Sequence, residues 1–310
     1  MDRFEFSDDN KRYHSWNYHL RHKFGCKVMK VSLNAGFSCP NIDGSKGYGG
    51  CIYCSSSGSG DFAGDPNESI ICQFEKGKEM LSKKWSSGKY MPYFQAHTNT
   101  YAPVSVLKDR FEGVLLENDV VGISIATRAD CLGDDVLDYL EDLSHRTYLI
   151  VELGLQSVFD KTGERINRCH TFDEFIDGFG KLKNRGINTC VHLIDGLPDE
   201  TDEMMIESAR RVGEMMPHCV KLHLLHILKG TRLYKEYENG LITPLTMERY
   251  VDIIVRQLEV IPPEVIIQRL TGDGARDTLV APLWSLKKFE VLNAIDKLMA
   301  ERNTFQGRAL

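Results

Sequence analysis

Long apolar runs are missing from this 310-residue chain. A membrane-spanning helix needs roughly 20 consecutive apolar residues, and no segment approaches that length. The first residues, MDRFEFSDDNKRYHSW, also lack the apolar stretch of a secretory signal. We therefore expect a cytoplasmic protein with no membrane partner. Because 42% of the residues are hydrophobic and 26% are charged, we expect a packed core rather than disorder.

Nucleotide-binding signatures are missing as well. The chain has no phosphate-binding loop of the Walker type, and Gly272-Asp273-Gly274 lacks the third glycine of a dinucleotide fingerprint and does not follow the start of a βαβ unit. These absences argue against nucleotide hydrolysis. Internal repeats and low-complexity tracts are also absent, so the length suits one large domain or one domain with appendages.

Acidic residues are absent from residues 11–30, although the whole chain has a net charge of −6. Lysines and arginines give this window a charge of +6, which leaves −12 (−6 minus +6) for the rest of the chain. Aromatic residues lie between the basic ones, and such a mixture can neutralise phosphates and stack on bases. Composition alone favours a solvated arm that leads into the first strand, and a nucleic-acid contact is the alternative. The candidates for that contact are Lys11, Arg12, Trp16, Arg21 and Lys23.

Strand-like segments alternate with segments of helical periodicity along most of the chain. The candidate strands are Lys27–Leu33, Tyr93–His97, Val120–Ala126, Tyr148–Leu153, Asn188–Ile194 and Val220–Leu225. Helices are predicted over 68–85, with Trp85 on the apolar face, and over 172–184. This repetition predicts parallel strands joined by right-handed crossovers. Six such units fit an α/β fold, a partial (β/α)6 TIM-like barrel, and a doubly wound sheet is the alternative.

The pattern changes after about residue 231. A helix is predicted over 246–260, stopped by Pro262 and Pro263, and is followed by a strand at Val265–Gln268 and a final helix near 285–302. We therefore predict three parts. They are a basic aromatic N-terminal arm at 1–26, a (β/α)6 core at 27–230 and a C-terminal α+β cap at 231–310.

The nine cysteines are scattered and odd in number, unlike those of a secreted disulfide scaffold. Cys39, Cys51 and Cys54 follow the first candidate strand, at the end where barrel active sites lie. Their loop is rich in glycine, and we expect its glycines to adopt positive φ: Gly44, Gly47, Gly49 and Gly50. Three thiolates on a 4Fe-4S cluster leave one iron open for catalysis. Spacing alone leaves a zinc site, completed by Cys26, Cys72 or a histidine, equally open.

The surroundings of these cysteines resemble the radical S-adenosylmethionine superfamily. The motifs are GFSCPN at 36–41, YFQA at 93–96, ATRAD at 126–130, ELGLQS at 152–157, RINR at 165–168 and GLP at 196–198. They are most similar to the branch of the Elongator catalytic subunit and coproporphyrinogen dehydrogenase, and within it to the YtqA/YhcC (MnmL-type) family. The resemblance covers nearly the whole chain and implies a 4Fe-4S cluster bound by the three cysteines, S-adenosylmethionine, and a 5′-deoxyadenosyl radical that abstracts hydrogen from a substrate.

The resemblance also implies roles for single residues. Tyr53 matches an aromatic position beside adenine, Gln156 a ribose ligand, and Arg168 an arginine that grips the methionyl carboxylate. The weaker cofactor candidates are Gln95, Thr98, His192 and Leu197. Arg128, Glu152, Lys221, His223 and His226 lie at or near strand ends and are candidates for the substrate side.

The resemblance to the YtqA type implies work on the wobble uridine of tRNA. The expected reaction converts 5-carboxymethylaminomethyluridine to 5-aminomethyluridine, with a flavodoxin- or ferredoxin-type protein as electron donor. The first alternative is a radical enzyme that acts on a small molecule such as a porphyrinogen. A non-enzymatic zinc-binding RNA module is a distant alternative, because it leaves Gln156, Arg168 and the barrel unexplained.

Overall fold

The computed structural model describes residues 4–58, 60 and 62–310. The strands are β1 (Val28–Leu33), β2 (Lys89–Phe94), β3 (Gly122–Thr127), β4 (Tyr148–Gln156), β5 (Asn188–Asp195), β6 (Cys219–Leu224), β7 (Ile227–Leu228), β8 (Ile266–Arg269) and β9 (Leu279–Ala281). The helices are α1 (Trp16–Phe24), α2 (Ile70–Ser82), α3 (Val104–Phe111), α4 (Asp134–Arg146), α5 (Asp160–Arg165), α6 (Phe172–Asn184), α7 (Asp202–Glu214), α8 (Arg232–Glu238), α9 (Met247–Glu259) and α10 (Lys288–Glu301).

The main sheet has seven parallel strands in the order β1-β2-β3-β4-β5-β6-β8. The order never reverses, whereas a doubly wound sheet contains a switch point at which the order reverses. The sheet curls until its two edges approach each other, and Lys30 on β1 donates a hydrogen bond to Gln268 on β8 (3.0 Å). The predicted partial barrel is therefore confirmed, and the doubly wound alternative is wrong.

The seventh strand comes from the segment predicted to be a separate cap. β8 lies in residues 231–310, yet it pairs in parallel with β6 and extends the barrel sheet. The helix before it, α9, buries an apolar face that includes Tyr250, Ile253 and Leu258. The Tyr250 hydroxyl donates to the carbonyl of Leu270 (2.8 Å), and this bond fixes the chain just after β8. The C-terminal segment therefore completes the barrel as well as covering it.

The N-terminal segment is packed rather than free. Ser15 caps α1 by accepting a hydrogen bond from the backbone N–H of Tyr18 (3.2 Å). Trp16 packs against a buried cluster at the amino ends of the strands, formed by Ile150, Cys190, Cys219 and Ile266. Helix α1 therefore covers the end of the barrel opposite to the cysteine loop, which follows the carboxyl end of β1.

Two helices test the periodicity argument directly. Helix α6 has the predicted bounds and begins with a capping box between Thr171 and Glu174. Helix α2 ends at Ser82, so Trp85 lies beyond it and is 42% exposed rather than on its apolar face. Among the described residues, no helix is both long and apolar enough to cross a membrane.

Candidate functional site

A cavity of about 280 Å³ opens at the carboxyl ends of the barrel strands. All three loop cysteines line it. So do eleven of the other residues predicted from the sequence: Tyr53, Gln95, Thr98, Arg128, Glu152, Gln156, Arg168, His192, Lys221, His223 and His226. Parallel strands place their carboxyl ends at one edge of a sheet, which explains why residues so far apart in sequence meet here.

The cysteine loop is held by the segment that follows α5. The Asn167 side-chain amide donates to the carbonyls of Gly50 (2.7 Å) and Tyr48 (3.2 Å), and the Ile52 N–H donates to the carbonyl of Ile166 (3.0 Å). Within the loop, Gly49 and Gly50 adopt positive φ (74° and 70°), as expected for glycines in a tight loop. These bonds fix the backbone around Cys51.

Gly44 also adopts positive φ, but Gly47 does not. The expectation for Gly47 was wrong, and its glycine has another cause. A Cβ at this position would lie 2.5 Å from Asn41 Oδ1 and 2.6 Å from Cys169 Sγ. Glycine is therefore needed at Gly47 for close packing against the segment that holds the loop.

The three loop cysteines are half-buried and form no disulfide among the described residues. Hydrogen bonding from the Cys54 thiol, opposed by burial, lowers the pKa of Cys51 to about 7. Asn41 Nδ2 donates to Cys51 Sγ (3.6 Å). In the described part of the chain, no three His, Cys, Asp or Glu side chains lie close enough together to bind a single metal ion. A cubane takes one thiolate per iron, so its ligands need not converge, and the thiols of this cavity fit its donor set.

Gln156 is held in a conformation that side chains rarely adopt. Its φ is 66°, and the β4–β5 register shifts between Gly154 and Gln156. A left-handed residue at the end of a strand costs free energy and often marks a functional position. The Gln156 amide nitrogen lies over Gly154, where a Cβ would approach it to 2.6 Å. Gly154 thus lets the Gln156 amide lie along the cavity wall.

Arg168 is fully buried, and its hydrogen bonds do not suit the predicted role. Its guanidinium donates to the carbonyls of Leu155 (2.8 Å), Ser157 (2.6 Å) and His170 (2.9 Å), and to Asp160 (3.2 Å). Four of its five N–H donors therefore have partners among the described residues. No two donors are left for a bidentate grip on a carboxylate. We interpret Arg168 as a residue that positions the loop after α5.

Arg128, like Arg168, donates most of its hydrogen bonds within the protein. It forms a bidentate pair with Asp130 (2.9 and 2.8 Å) and donates to the carbonyls of Arg168 (2.8 Å) and Cys169 (3.2 Å). Although Arg128 lines the cavity, most of its donors hold the same segment that holds the cysteine loop. Its predicted contact with a substrate stays a prediction.

A buried charged layer forms the floor of the cavity. Glu152 is fully buried, and it accepts hydrogen bonds from Lys221 and from His192 Nε2 (2.8 Å). Despite burial, the Lys221 and Lys30 ammonium groups hold the pKa of Glu152 well below its usual value. Burial and the Lys221 charge lower the pKa of His192 to about 4, so its imidazole is neutral.

The structure does not bring the remaining candidates to the cavity. Leu197 is buried in an apolar cluster with Ile52 and Ile166, below the cysteine loop. The five N-terminal candidates lie at the opposite end of the strands. Lys11 pairs with Asp296, Arg21 pairs with Asp8 (2.7 Å), and the Lys23 ammonium lies 4.7 Å from the Tyr148 ring centroid. Arg12 donates to the Thr304 carbonyl (3.3 Å). RNA contact by this segment stays a prediction.

Several cavity residues were missed by the sequence analysis. His97 follows Tyr93 and Gln95 at the spacing of one strand face, and this alternation was the signal that could have found it. His170 is buried, with both ring nitrogens unpartnered among the described residues. Arg269, at the end of β8, was missed because β8 was assigned to a separate cap.

The sequence and the fold both match known proteins. A model of the Radical SAM superfamily matches residues 47–212, and a model of the Radical_SAM C-terminal domain matches residues 217–301. The protein YtqA of Bacillus subtilis (strain 168), described as uncharacterized, is 52% identical over 305 residues, which are 98% of this chain and 95% of that protein.

More distant matches extend this result. A tRNA uridine(34) acetyltransferase of Methanocaldococcus jannaschii is 28% identical over 160 residues, which are 51% of this chain and 29% of that protein. The solved structure of Methanocaldococcus infernus Elp3 with an N-terminal deletion has the same fold, with a TM-score of 0.66 and 18% identity over 90% of this chain and 64% of that one. The predicted resemblance to the Elongator-like branch is confirmed, and the chain belongs to the radical S-adenosylmethionine superfamily, whose enzymes use a 4Fe-4S cluster and S-adenosylmethionine.

Proposed function

We propose that this radical S-adenosylmethionine enzyme modifies the wobble uridine of tRNA, converting 5-carboxymethylaminomethyluridine to 5-aminomethyluridine. The relative from Methanocaldococcus jannaschii supports the class of substrate, because its name places its own activity at uridine 34 of tRNA. That relative is matched over less than a third of its length, so its acetyl transfer is not carried over.

The residues of the cavity divide into two groups in this proposal. Cys39, Cys51 and Cys54 hold the cluster, and Tyr53 and Gln156 contact S-adenosylmethionine. When bound, the cluster and S-adenosylmethionine would together supply a 5′-deoxyadenosyl radical. The chain itself fixes the cysteine loop through Asn167 and provides a buried floor at Glu152 and Lys221 that excludes bulk water.

A second cavity beside the first carries the proposal of an RNA substrate. Its volume is about 480 Å³, and it shares Phe62, Gln95 and Arg269 with the first cavity. Two further cations border it, Arg276 and Lys288, and Asp273, which also lines both cavities, pairs with Lys288 (2.9 Å). An enzyme that works on a base takes the nucleotide out of its stack, and cations beside the pocket then contact the flanking phosphates. Two adjoining cavities with cations at their border suit a flipped-out nucleotide of an RNA better than an isolated small molecule.

The electron donor and the compartment belong to the same proposal. We expect a flavodoxin- or ferredoxin-type donor in the cytoplasm, where the tRNA substrate is found. The exposed part of the cysteine loop, which includes Tyr48, lies close in sequence to the predicted cluster ligands and is our candidate surface for the donor.

Nucleoside analysis of tRNA from cells that lack the gene tests the proposal. We expect 5-carboxymethylaminomethyluridine to accumulate and 5-aminomethyluridine to disappear. The wild-type gene should restore the product, and the Cys51→Ala gene should not. Unchanged amounts of both nucleosides would contradict the tRNA proposal and favour a small-molecule substrate.

A further inference from the structure

The buried layer at the cavity floor has more positive than negative charge. Glu152 accepts from Lys30, Lys221, His192 and Ser124, and it is the carboxylate that both lysines share. Since His192 is neutral, two ammonium groups face one carboxylate and leave an excess of about one positive charge. A buried charge without a counterion is costly, and burial accordingly lowers the pKa of Lys221 to about 8.

The two lysines differ in their remaining hydrogen-bonding capacity. The Lys30 ammonium uses all three donors, on Glu152, Ser124 (3.1 Å) and Gln268 (3.0 Å). The Lys221 ammonium bonds to Glu152 and the Tyr93 hydroxyl (3.2 Å), so one of its three donors has no partner among the described residues. Lys221 lines the cavity and Lys30 does not. The excess charge is therefore presented to the cavity by Lys221.

His223 lies beside this free donor. It follows Lys221 by two residues on β6, so both side chains point to the interior of the barrel. Its Nε2 is buried and has no partner among the described residues, and its ring lies 5.3 Å from that of His192. The Lys221 ammonium and, in its Nε2–H tautomer, the His223 imidazole offer two N–H donors on one wall, and such a pair suits an anionic ligand with two oxygens.

We propose that Lys221 and His223 form a carboxylate-binding subsite at the floor of the cavity, which holds the carboxylate of the substrate. This inference rests on the proposed function, because the carboxymethylaminomethyl group ends in a carboxylate. S-adenosylmethionine also carries a carboxylate, and the experiment separates the two sources. Glu152 positions Lys221, whereas all three donors of Lys30 are taken by Glu152, Ser124 and Gln268, so Lys30 makes no contact with the ligand.

The test uses reconstituted holoenzyme with Lys221→Met, His223→Gln and, as a matched control, Lys30→Met. Lys30 donates to the same carboxylate but lies outside the cavity lining. The assays are the KM for tRNA carrying 5-carboxymethylaminomethyluridine, the affinity for S-adenosylmethionine without tRNA, and the unfolding midpoint. Loss of a charged hydrogen bond should raise KM roughly 10- to 100-fold in Lys221→Met, with a smaller rise in His223→Gln.

The expected pattern leaves the affinity for S-adenosylmethionine unchanged in all variants. It raises KM less in Lys30→Met, which loses charge but no ligand contact, than in Lys221→Met. Lys221→Arg, which keeps the charge, should recover part of the affinity for tRNA. Equal rises in KM for Lys30→Met and Lys221→Met would show a structural role and overturn the subsite. Loss of S-adenosylmethionine binding in Lys221→Met would assign the residue to the cofactor carboxylate and also overturn it.

A small probe separates this inference from the proposed function. N-methylglycine carries the carboxymethylamino group, and methylamine lacks the carboxylate. The subsite predicts that N-methylglycine, but not methylamine, raises the unfolding midpoint of wild-type holoenzyme, and that Lys221→Met removes the effect. That result with no turnover of the tRNA would support the subsite and reject the proposed function. Turnover of the tRNA with a wild-type KM in Lys221→Met would reject the subsite alone.

Discussion

Replacing Arg168 by lysine is expected to weaken the fold more than it weakens cofactor binding. The buried guanidinium satisfies the carbonyls of Leu155, Ser157 and His170, and a lysine ammonium keeps at most one of these bonds. A buried carbonyl left without a donor costs about 1–3 kcal/mol. Two such losses predict a fall of about 2–6 kcal/mol in the free energy of unfolding. Because neighbouring losses are not additive, the lower half of that range is the better expectation.

The measurement is urea unfolding of anaerobically purified protein, followed by binding of S-adenosylmethionine below the transition. Arg165→Lys is the matched control, because Arg165 lies three residues earlier and pairs with Glu236 at the surface of the same segment. Its loss should cost under about 1 kcal/mol. The reasoning is refuted if Arg168→Lys unfolds at the wild-type urea concentration but no longer binds S-adenosylmethionine, since that result would show a direct grip on the cofactor.

Three further predictions concern the cluster, a buried acid and the RNA surface. Alanine at Cys39, Cys51 or Cys54 should reduce the iron content from about four per chain and abolish cleavage of S-adenosylmethionine. Cys72→Ala, at an exposed thiol, should do neither, and full iron in Cys51→Ala would contradict the assignment. Burial raises the pKa of Asp195 from 3.8 to about 8, so the unfolded chain ionises first and stability falls as pH rises from about 4 to about 8. Asp195→Asn cannot ionise and should flatten this pH dependence, with a gain of up to about 4 kcal/mol at pH 7, measured by urea unfolding across that range; equal slopes would count against it. Replacing Arg276 and Lys288 by glutamine should lower the log–log salt slope of tRNA binding by about 0.7–0.9 for each phosphate that the variant no longer neutralises. The N-terminal set should keep the wild-type slope, because its side chains bind Asp8, Asp296 and Thr304 at the other end of the barrel, and a flattened slope there would support the RNA contact predicted from sequence.

The strands and the cavity lining were predictable because both depend on local sequence. A β-rich run of six to nine residues forms a parallel strand in this fold, and the polar residues at its carboxyl end are brought together by topology. Gln156, Thr98 and Glu152 reached the cavity for that reason. The start of β2 was predicted poorly, because Pro92 and the basic residue Lys89 weaken the strand signal at its amino end.

Long-range partners could not be predicted in the same way. The spacing of Arg168 from Gln156 matches the family, but the carbonyls that take its donors come from a strand and a loop that local sequence does not place beside it. The sequence predicted a solvated arm at residues 11–30, because two partners of its basic side chains, Asp296 and Tyr148, are far away in sequence. β8 reads as part of a cap because its pairing with β6 spans more than 40 residues.

The position of Trp16 has a consequence for the order of binding. Helix α1 covers the amino end of the barrel, and Lys30 links β1 to β8 above it. In the described part of the chain, ligands therefore reach the bottom of the cavity from the carboxyl ends of the strands. A ligand reaches Glu152 and Lys221 through this opening, which the cysteine loop and the second cavity border. A macromolecule bound over that opening would prevent a cofactor already in the cavity from leaving. For the proposed tRNA substrate, S-adenosylmethionine would therefore bind first, and its cleavage products would leave only after the tRNA has dissociated.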